Sequence, residues 1–189
     1  MAALIRACKE PDYPADIAIV ISNKPDADGL RVAREAGITT ALIDQNNFKG
    51  NKTGFEQALL DALKNHTPDL ICLAGFMRIL SAPFLDACGT PVINIHPSLL
   101  PAFPGLDTHK RALESGHTLH GCTVHYVTTD LDAGPIIARQ SVPIAPDDTE
   151  VTLAAKVLAA EHVLYPQAVR TVLSLPIDIT DNFGHNKHR

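Results

Sequence analysis

Several things are missing from this sequence, and each absence excludes a class of protein. No apolar run approaches the roughly 20 residues needed to span a bilayer. Arg6 and Lys9 interrupt the N-terminal segment before a signal-peptide core can form. A soluble, cytoplasmic protein with no membrane partner is therefore expected. Positive charge is not in excess: 16 Lys and Arg stand against 21 Asp and Glu, a formal net charge of −5. That balance argues against nucleic-acid binding, which needs a clustered basic excess, and an anionic small substrate would need a local basic or amide-rich site. Cysteine is scarce, and Cys8, Cys72, Cys88 and Cys122 form no CxxC pair. Cys72 and Cys122 lie inside apolar, strand-like runs, where cysteine acts as a small hydrophobe, so a reducing compartment is expected. The nine histidines lack a compact ligand spacing, so no metal site is expected. There is also no internal repeat, low-complexity stretch or linker.

What is present is a chain of 189 residues, 46% of them hydrophobic, enough for one sizeable core in a single domain over 1–180. Asp181 to Arg189 reads as a loose polar tail. Short Val- and Ile-rich runs alternate with segments of helical period, the pattern of a mainly parallel sheet covered by helices. Strands are expected at Asp16 to Ser22, Thr39 to Ile43, Asp69 to Leu73, Pro91 to His96, Gly121 to Val127 and Pro135 to Pro143. Helices are expected at Asp28 to Ala36, Gly54 to Asn65 and Leu80 to Ala87, and Met1 to Lys9 reads as a helix as well. Gly37 suits a helix C-cap, and Asp147, Asp148 and Thr149 offer N-caps for a long helix from Glu150 to Leu173, which Pro166 should kink or break. The last two strands are joined by a short polar loop and should therefore be antiparallel. A mixed sheet follows, parallel first, with a hairpin appended.

The chemistry concentrates in VINIHPSLLPAFPG, from Val92. On a strand, Asn94 and His96 share one face while Ile93 and Ile95 take the other. Pro97 biases His96 toward an extended backbone and ends the ladder, so the pair sits at the strand's C-terminal edge, where open α/β sheets bind ligands. A lone His at a strand end is more often structural, and Asn before a turn is often a turn former. A third polar group alters that balance, and Asp132, in the loop TTDLDAGP with Gly134 giving freedom for a bend, is the candidate. From spacing alone Asp130 and Asp132 read as turn residues, and nothing local ties Asp132 to His96. The rival is a cysteine nucleophile: Cys122 lies near His120 and His125, sharing a face with His120 while His125 faces oppositely.

The stretch from Leu73 to Ile137, with LAGFMRILS, INIHPSLLPAFPG, HGCTVHYVT and DLDAGPII, resembles the core of the folate-dependent formyltransferases. The likeness continues more weakly from SNKPDADGL to EHVLYP, and the full pattern and length resemble the phosphoribosylglycinamide formyltransferase family in particular. The resemblance implies a Rossmann-like α/β fold and transfer of a formyl group from 10-formyltetrahydrofolate to the amine of glycinamide ribonucleotide in purine biosynthesis. It implies Asn94, His96 and Asp132 as the catalytic trio. It places the folate near Met77, Arg78, Ile79 and Leu80 and the loop Thr128, Thr129, Asp130, Leu131 and Asp132, with Asn94 beside it and Lys52 as a nearby basic residue. Glu161 would be the acceptor-binding carboxylate. The plainer readings are that Met77, Ile79 and Leu80 are core, Lys52 a solvated loop charge and Glu161 an exposed helix residue.

Formyl transfer passes through a tetrahedral species with a developing oxyanion, for which Asn94 and a protonated His96 are suitable donors. His96, favoured in its charged form by Asp132, also suits proton exchange between the attacking and departing amines. The sequence departs from the family at its start. Family members carry a first strand and a Gly- and Ser-rich, phosphate-binding loop, whereas MAALIRACK resembles the helix that follows them. The expectation is an N-terminally incomplete domain lacking the family's first strand, with weak or absent transfer as it stands. The alternatives are a catalytically impaired folate-binding module, a formyltetrahydrofolate hydrolase, or a transferase acting on another amine.

Overall fold

The computed structural model describes residues 1–174. The tail from Asp181 and the domain boundary at 180 lie outside the described residues. The chain opens on helix α1 (Ala2–Ala7), followed by β1 (Val20–Ser22), α2 (Asp28–Glu35), β2 (Thr40–Leu42) and a 3-10 turn (Gln45–Phe48). Then come α3 (Lys52–Leu63), β3 (Ile71–Leu73), α4 (Ala82–Cys88), β4 (Val92–His96), α5 (Thr108–Glu114), β5 (Leu119–Tyr126), β6 (Ile136–Pro143) and α6 (Glu150–Ser174).

The helix ends follow local chemistry. The Asn51 side chain accepts from the Gly54 N–H to cap α3, and the Ser81 hydroxyl accepts from Phe84 to cap α4, which carries a proline in its first turn and ends on Gly89 in the left-handed region. Thr149 serves α6, its Oγ1 accepting from the Thr152 N–H at 3.2 Å. Of the two outcomes expected at Pro166, a kink or a break, the break does not occur, and α6 continues as one helix; the residue left without a helical donor is His162, an exposed position that solvent reaches. The seven-residue α5 was not foreseen, because two turns carry too little periodicity to register.

The sheet is mixed as expected, α/β and Rossmann-like. β1 pairs with β2 in parallel, and β3 pairs with β4 in parallel, while β4–β5 and β5–β6 are antiparallel. Among the described residues the strands form two sheets, β1-β2 and β3-β4-β5-β6, with no ladder joining β1 to β3. β1 is shorter than the apolar run predicts, its ladder with β2 beginning at Val20↔Thr40.

Two apolar layers sandwich the strands. Leu153, Val157, Ala160, Leu164 and Ala168 of α6 pack with Ile93, Cys122 and Val124. On the other side Phe55 and Leu59 of α3 and Phe84 of α4 pack with Ile43, Leu80 and Val92. Consecutive residues Val92 and Ile93 thus serve opposite layers, and each such fully buried side chain contributes about 1.5–3 kcal/mol. α6 is tied to the strands by Tyr165, whose buried hydroxyl lies 2.8 Å from the carbonyl oxygen of Leu73 and 3.2 Å from that of Ile93. Removing it strands two acceptors under a helix. Tyr165→Phe is expected to destabilise the fold by about 1–3 kcal/mol. Urea unfolding should therefore show a lower midpoint at an unchanged slope, and an unchanged midpoint would contradict this role.

Candidate active site

By alternation along β4, Asn94 and His96 fall on the face of Val92, away from α6. The antiparallel register sets Asn94 opposite His125 and His96 opposite Thr123. Thr123 pins the loop that follows β4: its Oγ1 donates to the Ser98 carbonyl at 2.7 Å and accepts from the Leu100 N–H at 3.1 Å. Ser98 donates to the Ala102 carbonyl at 2.6 Å. Phe103, at φ +54°, turns its carbonyl toward His96, and the His96 Nε2–H donates to it at 3.0 Å. The ring is fixed in orientation, with Nδ1 directed elsewhere.

That direction is Asp132. Its Oδ2 lies 3.4 Å from His96 Nδ1 and accepts from the Gly105 N–H at 2.8 Å. Both side chains are sequestered, 7% and 10% exposed. Asp132 holds φ +51°, a left-handed conformation that costs energy for a residue with a Cβ and is held here by its carboxylate contacts. Gly134 is needed for a reason other than the one its loop suggests. It does not adopt positive φ; a Cβ there would overlap the Tyr126 carbonyl. The register shift between Val124 and His125 marks a bulge beside the site. Asn94, His96 and Asp132 therefore converge.

A fourth polar residue joins them that sequence reasoning weighed only as a partner for cysteine. His125, 3% exposed, places Nε2 3.3 Å from Asn94 Nδ2 and 3.7 Å from Asp132 Oδ1. Its Nδ1 lies 2.9 Å from the Tyr126 carbonyl, and burial lowers its affinity for a proton. The signal available was period-two alternation, which puts His125 on the face of Thr123 rather than of Cys122. The cysteine reading fails on chemistry: Cys122 is fully buried, and burial with Glu161 nearby pushes its thiol up to about 12. His120 points to His109, 3.1 Å away, and burial lowers it to about 4.

The remaining expected residues separate by exposure. Met77, Ile79 and Leu131 are 70%, 52% and 55% exposed, so they are not core, and Leu106 is 68% exposed. Leu80 is core, 4% exposed, so its side chain is closed to solvent. Arg78 lies 4.7 Å over the Phe55 ring and donates to Gln45 at 3.2 Å. Lys52 is half-exposed and 3.8 Å from Glu56, which accepts from the Ser81 N–H and hydroxyl at 2.9 and 2.5 Å. Thr128 donates to the Asp130 carbonyl at 3.3 Å, while Thr129 and Asp130 face solvent. Glu161, on α6, has no hydrogen bond or ion pair to the trio among the described residues; burial pushes its carboxyl up to about 7.

Comparison with known proteins agrees with this geometry. Residues 1–169 match the formyl transferase family. The chain is 46% identical over 180 residues to the human trifunctional purine biosynthetic protein adenosine-3, aligning across 95% of itself but spanning only 18% of that protein's length. It is 42% identical to phosphoribosylglycinamide formyltransferase of Escherichia coli, covering 88% of this chain and 78% of that one. The crystal structure of phosphoribosylglycinamide formyltransferase from Brucella melitensis superposes with a TM-score of 0.87 at 50% identity, covering 94% of this chain and 91% of the other. The chain belongs to the formyl transferase family, in its phosphoribosylglycinamide formyltransferase branch.

Proposed function

We propose that this chain transfers a formyl group from 10-formyltetrahydrofolate to the amine of glycinamide ribonucleotide, with Asn94, His96 and Asp132 as the catalytic residues. The observation that carries the reading is the convergence of an amide, an imidazole and a carboxylate at the C-terminal end of β4, with the exposed Leu131 and Leu106 beside Asp132 and its partner Gly105 in the chain. The acceptor nitrogen attacks the formyl carbon and the carbonyl oxygen becomes an oxyanion. An Asn94 N–H donates to that oxygen, and a protonated His96, its N–H groups directed at Phe103 and Asp132, stabilises it by its positive charge. The bond from carbon to N10 then breaks, the new amide keeps the formyl group, and the proton lost by the acceptor amine ends on N10, with Asp132 and His96 as the relay. With Nε2–H committed to Phe103 and Nδ1 facing a carboxylate, the His96 ring is oriented for an imidazolium state.

The folate would lie against Met77, Ile79, Leu106 and Leu131, meet the backbone of Leu80 and of Thr128 to Asp132, and have Lys52 nearby. Arg78, held over Phe55, would form one wall of that site. Glu161 would hold the acceptor amine.

Two outcomes are expected. Asp132→Asn should lower kcat by about 10²–10⁴-fold with little loss of folate-analogue binding, read by absorbance of 10-formyl folate consumption. Formylation at the unmodified rate would overturn the assignment. Binding of the analogue without formylation by the parent chain would indicate a folate-binding module, and formate release without an acceptor would indicate a hydrolase.

Glu161 supplies the pH dependence. Its carboxyl is raised from an ordinary 4.5 to about 7, so the unfolded chain deprotonates first as pH rises. Its contribution to stability is complete below about 4.5 and lost as pH climbs through 7. Acceptor binding should move oppositely, with KM for glycinamide ribonucleotide falling as the carboxylate forms. Glu161→Gln should raise that KM by about tenfold or more and flatten both pH profiles. Parallel profiles in the two proteins would count against the role.

A further inference from the structure

His125 is the buried polar group that the trio does not account for. The Tyr126 carbonyl can only accept, so the 2.9 Å contact with His125 Nδ1 requires a proton on that nitrogen. In the neutral ring, Nε2 is then a bare acceptor, and the group 3.3 Å from it, Asn94 Nδ2, must be the donor. The cross-strand pairing Asn94↔His125 sets the two side chains side by side, and the ring is buried, 3% exposed.

Resting on the transferase reading above, we infer that His125 is a positioning residue: as a neutral imidazole it draws the NH₂ end of Asn94 to itself, leaving the second N–H of that amide for the formyl oxygen. Without this acceptor, nothing within β4 or β5 distinguishes the two ends of the carboxamide, and half of its orientations present an oxygen to the developing oxyanion. Protonation of His125 reverses the arrangement. Nε2 becomes a donor, Asp132 Oδ1 at 3.7 Å is the acceptor within reach, and Asn94 loses its anchor. The groups facing the ring are Asp132, from the loop after β5, which favours protonation, and His96, from β4, which opposes it. Burial is the larger influence and keeps the ring neutral.

The test compares two variants in the full chain. His125→Leu keeps bulk but removes the acceptor; His125→Gln keeps an acceptor oxygen near the Nε2 position and does not titrate. The Leu variant should lose about tenfold to a hundredfold in kcat, less than the ~10²–10³ of deleting an oxyanion donor itself, with both KM values nearly unchanged. The Gln variant should recover at least about tenfold of any such loss, and its kcat should lack the acid-side fall caused by protonating an imidazole. Full kcat in the Leu variant, or a Gln variant as slow as Leu with the parent's pH profile, would overturn the inference. Imidazole ¹⁵N spectra of the parent chain provide a readout independent of turnover: a proton on Nδ1 at neutral pH is expected, and an Nε2–H tautomer would overturn the orientation. Absence of transfer by the parent chain would overturn the transferase reading, while the ring proton would still decide the fate of His125.

Discussion

The antiparallel pairing of β4 with β5 is the constraint on which the site depends, because a parallel sheet cannot bring these residues together. Reversal of β5 sets Asn94 against His125 and His96 against Thr123 in consecutive rungs. One rung is chemical, the other mechanical, since Thr123 holds both the Ser98 carbonyl and the Leu100 N–H. Slipping β5 by one residue would turn Val124 toward the site and drive Thr123 and His125 into the apolar layer under α6. The penalty for burying unpaired polar groups there is several kcal/mol, so the hydrophobic pattern that builds the core also fixes the geometry of the site.

From that ladder the two flanking loops meet. The segment after β4 ends near Gly105 and the segment after β5 turns at Asp132, and the bond between them, Gly105 N–H to Asp132 Oδ2, closes the site. Asp132 and Phe103 both hold positive φ, a cost of about 1–3 kcal/mol for each such residue that persists only where surrounding contacts over-determine the backbone. In each case the strained residue points a specific oxygen at His96. The strain is thereby linked to orienting one ring before any ligand arrives, the condition under which charge stabilisation costs no reorganisation.

Much of this was legible in the sequence, and the parts that were not share a cause. Alternating apolar runs located the six strands found among the described residues, and period-two geometry put Asn94 and His96 on one face. Those are local inferences. The contact of Asp132 with His96 is not local, and the loop spacing alone favoured a turn former; the family resemblance supplied it, and the structure supplies the distance. His125 was visible as a residue on the correct face, but its meaning required knowing which strand β5 pairs with and in what register. Leu80, Ile79 and Met77 are adjacent apolar residues that no pattern separates, yet one is core and two are exposed. Gly134 looked like a conformational hinge and is instead a steric gap for the Tyr126 carbonyl.

The two faces of β4 divide the electrostatics as well as the packing. Toward α6 the surroundings are apolar, and burial pushes Cys122 and Glu161 upward, toward their neutral forms. On the opposite face, polar groups are just as buried but meet one another. His96 has a carbonyl acceptor at Nε2 and a carboxylate oxygen facing Nδ1, and Asp132 accepts a backbone N–H and lies 3.4 Å from His96 Nδ1 and 3.7 Å from His125 Nε2. Two histidines face that one carboxylate with different hydrogen-bond partners behind them, a carbonyl on Nε2 for His96 and a carbonyl on Nδ1 for His125. The same residue type thereby faces Asp132 through Nδ1 in one case and accepts from Asn94 through Nε2 in the other, which is how one short ladder presents two differently bonded imidazoles to the same small space.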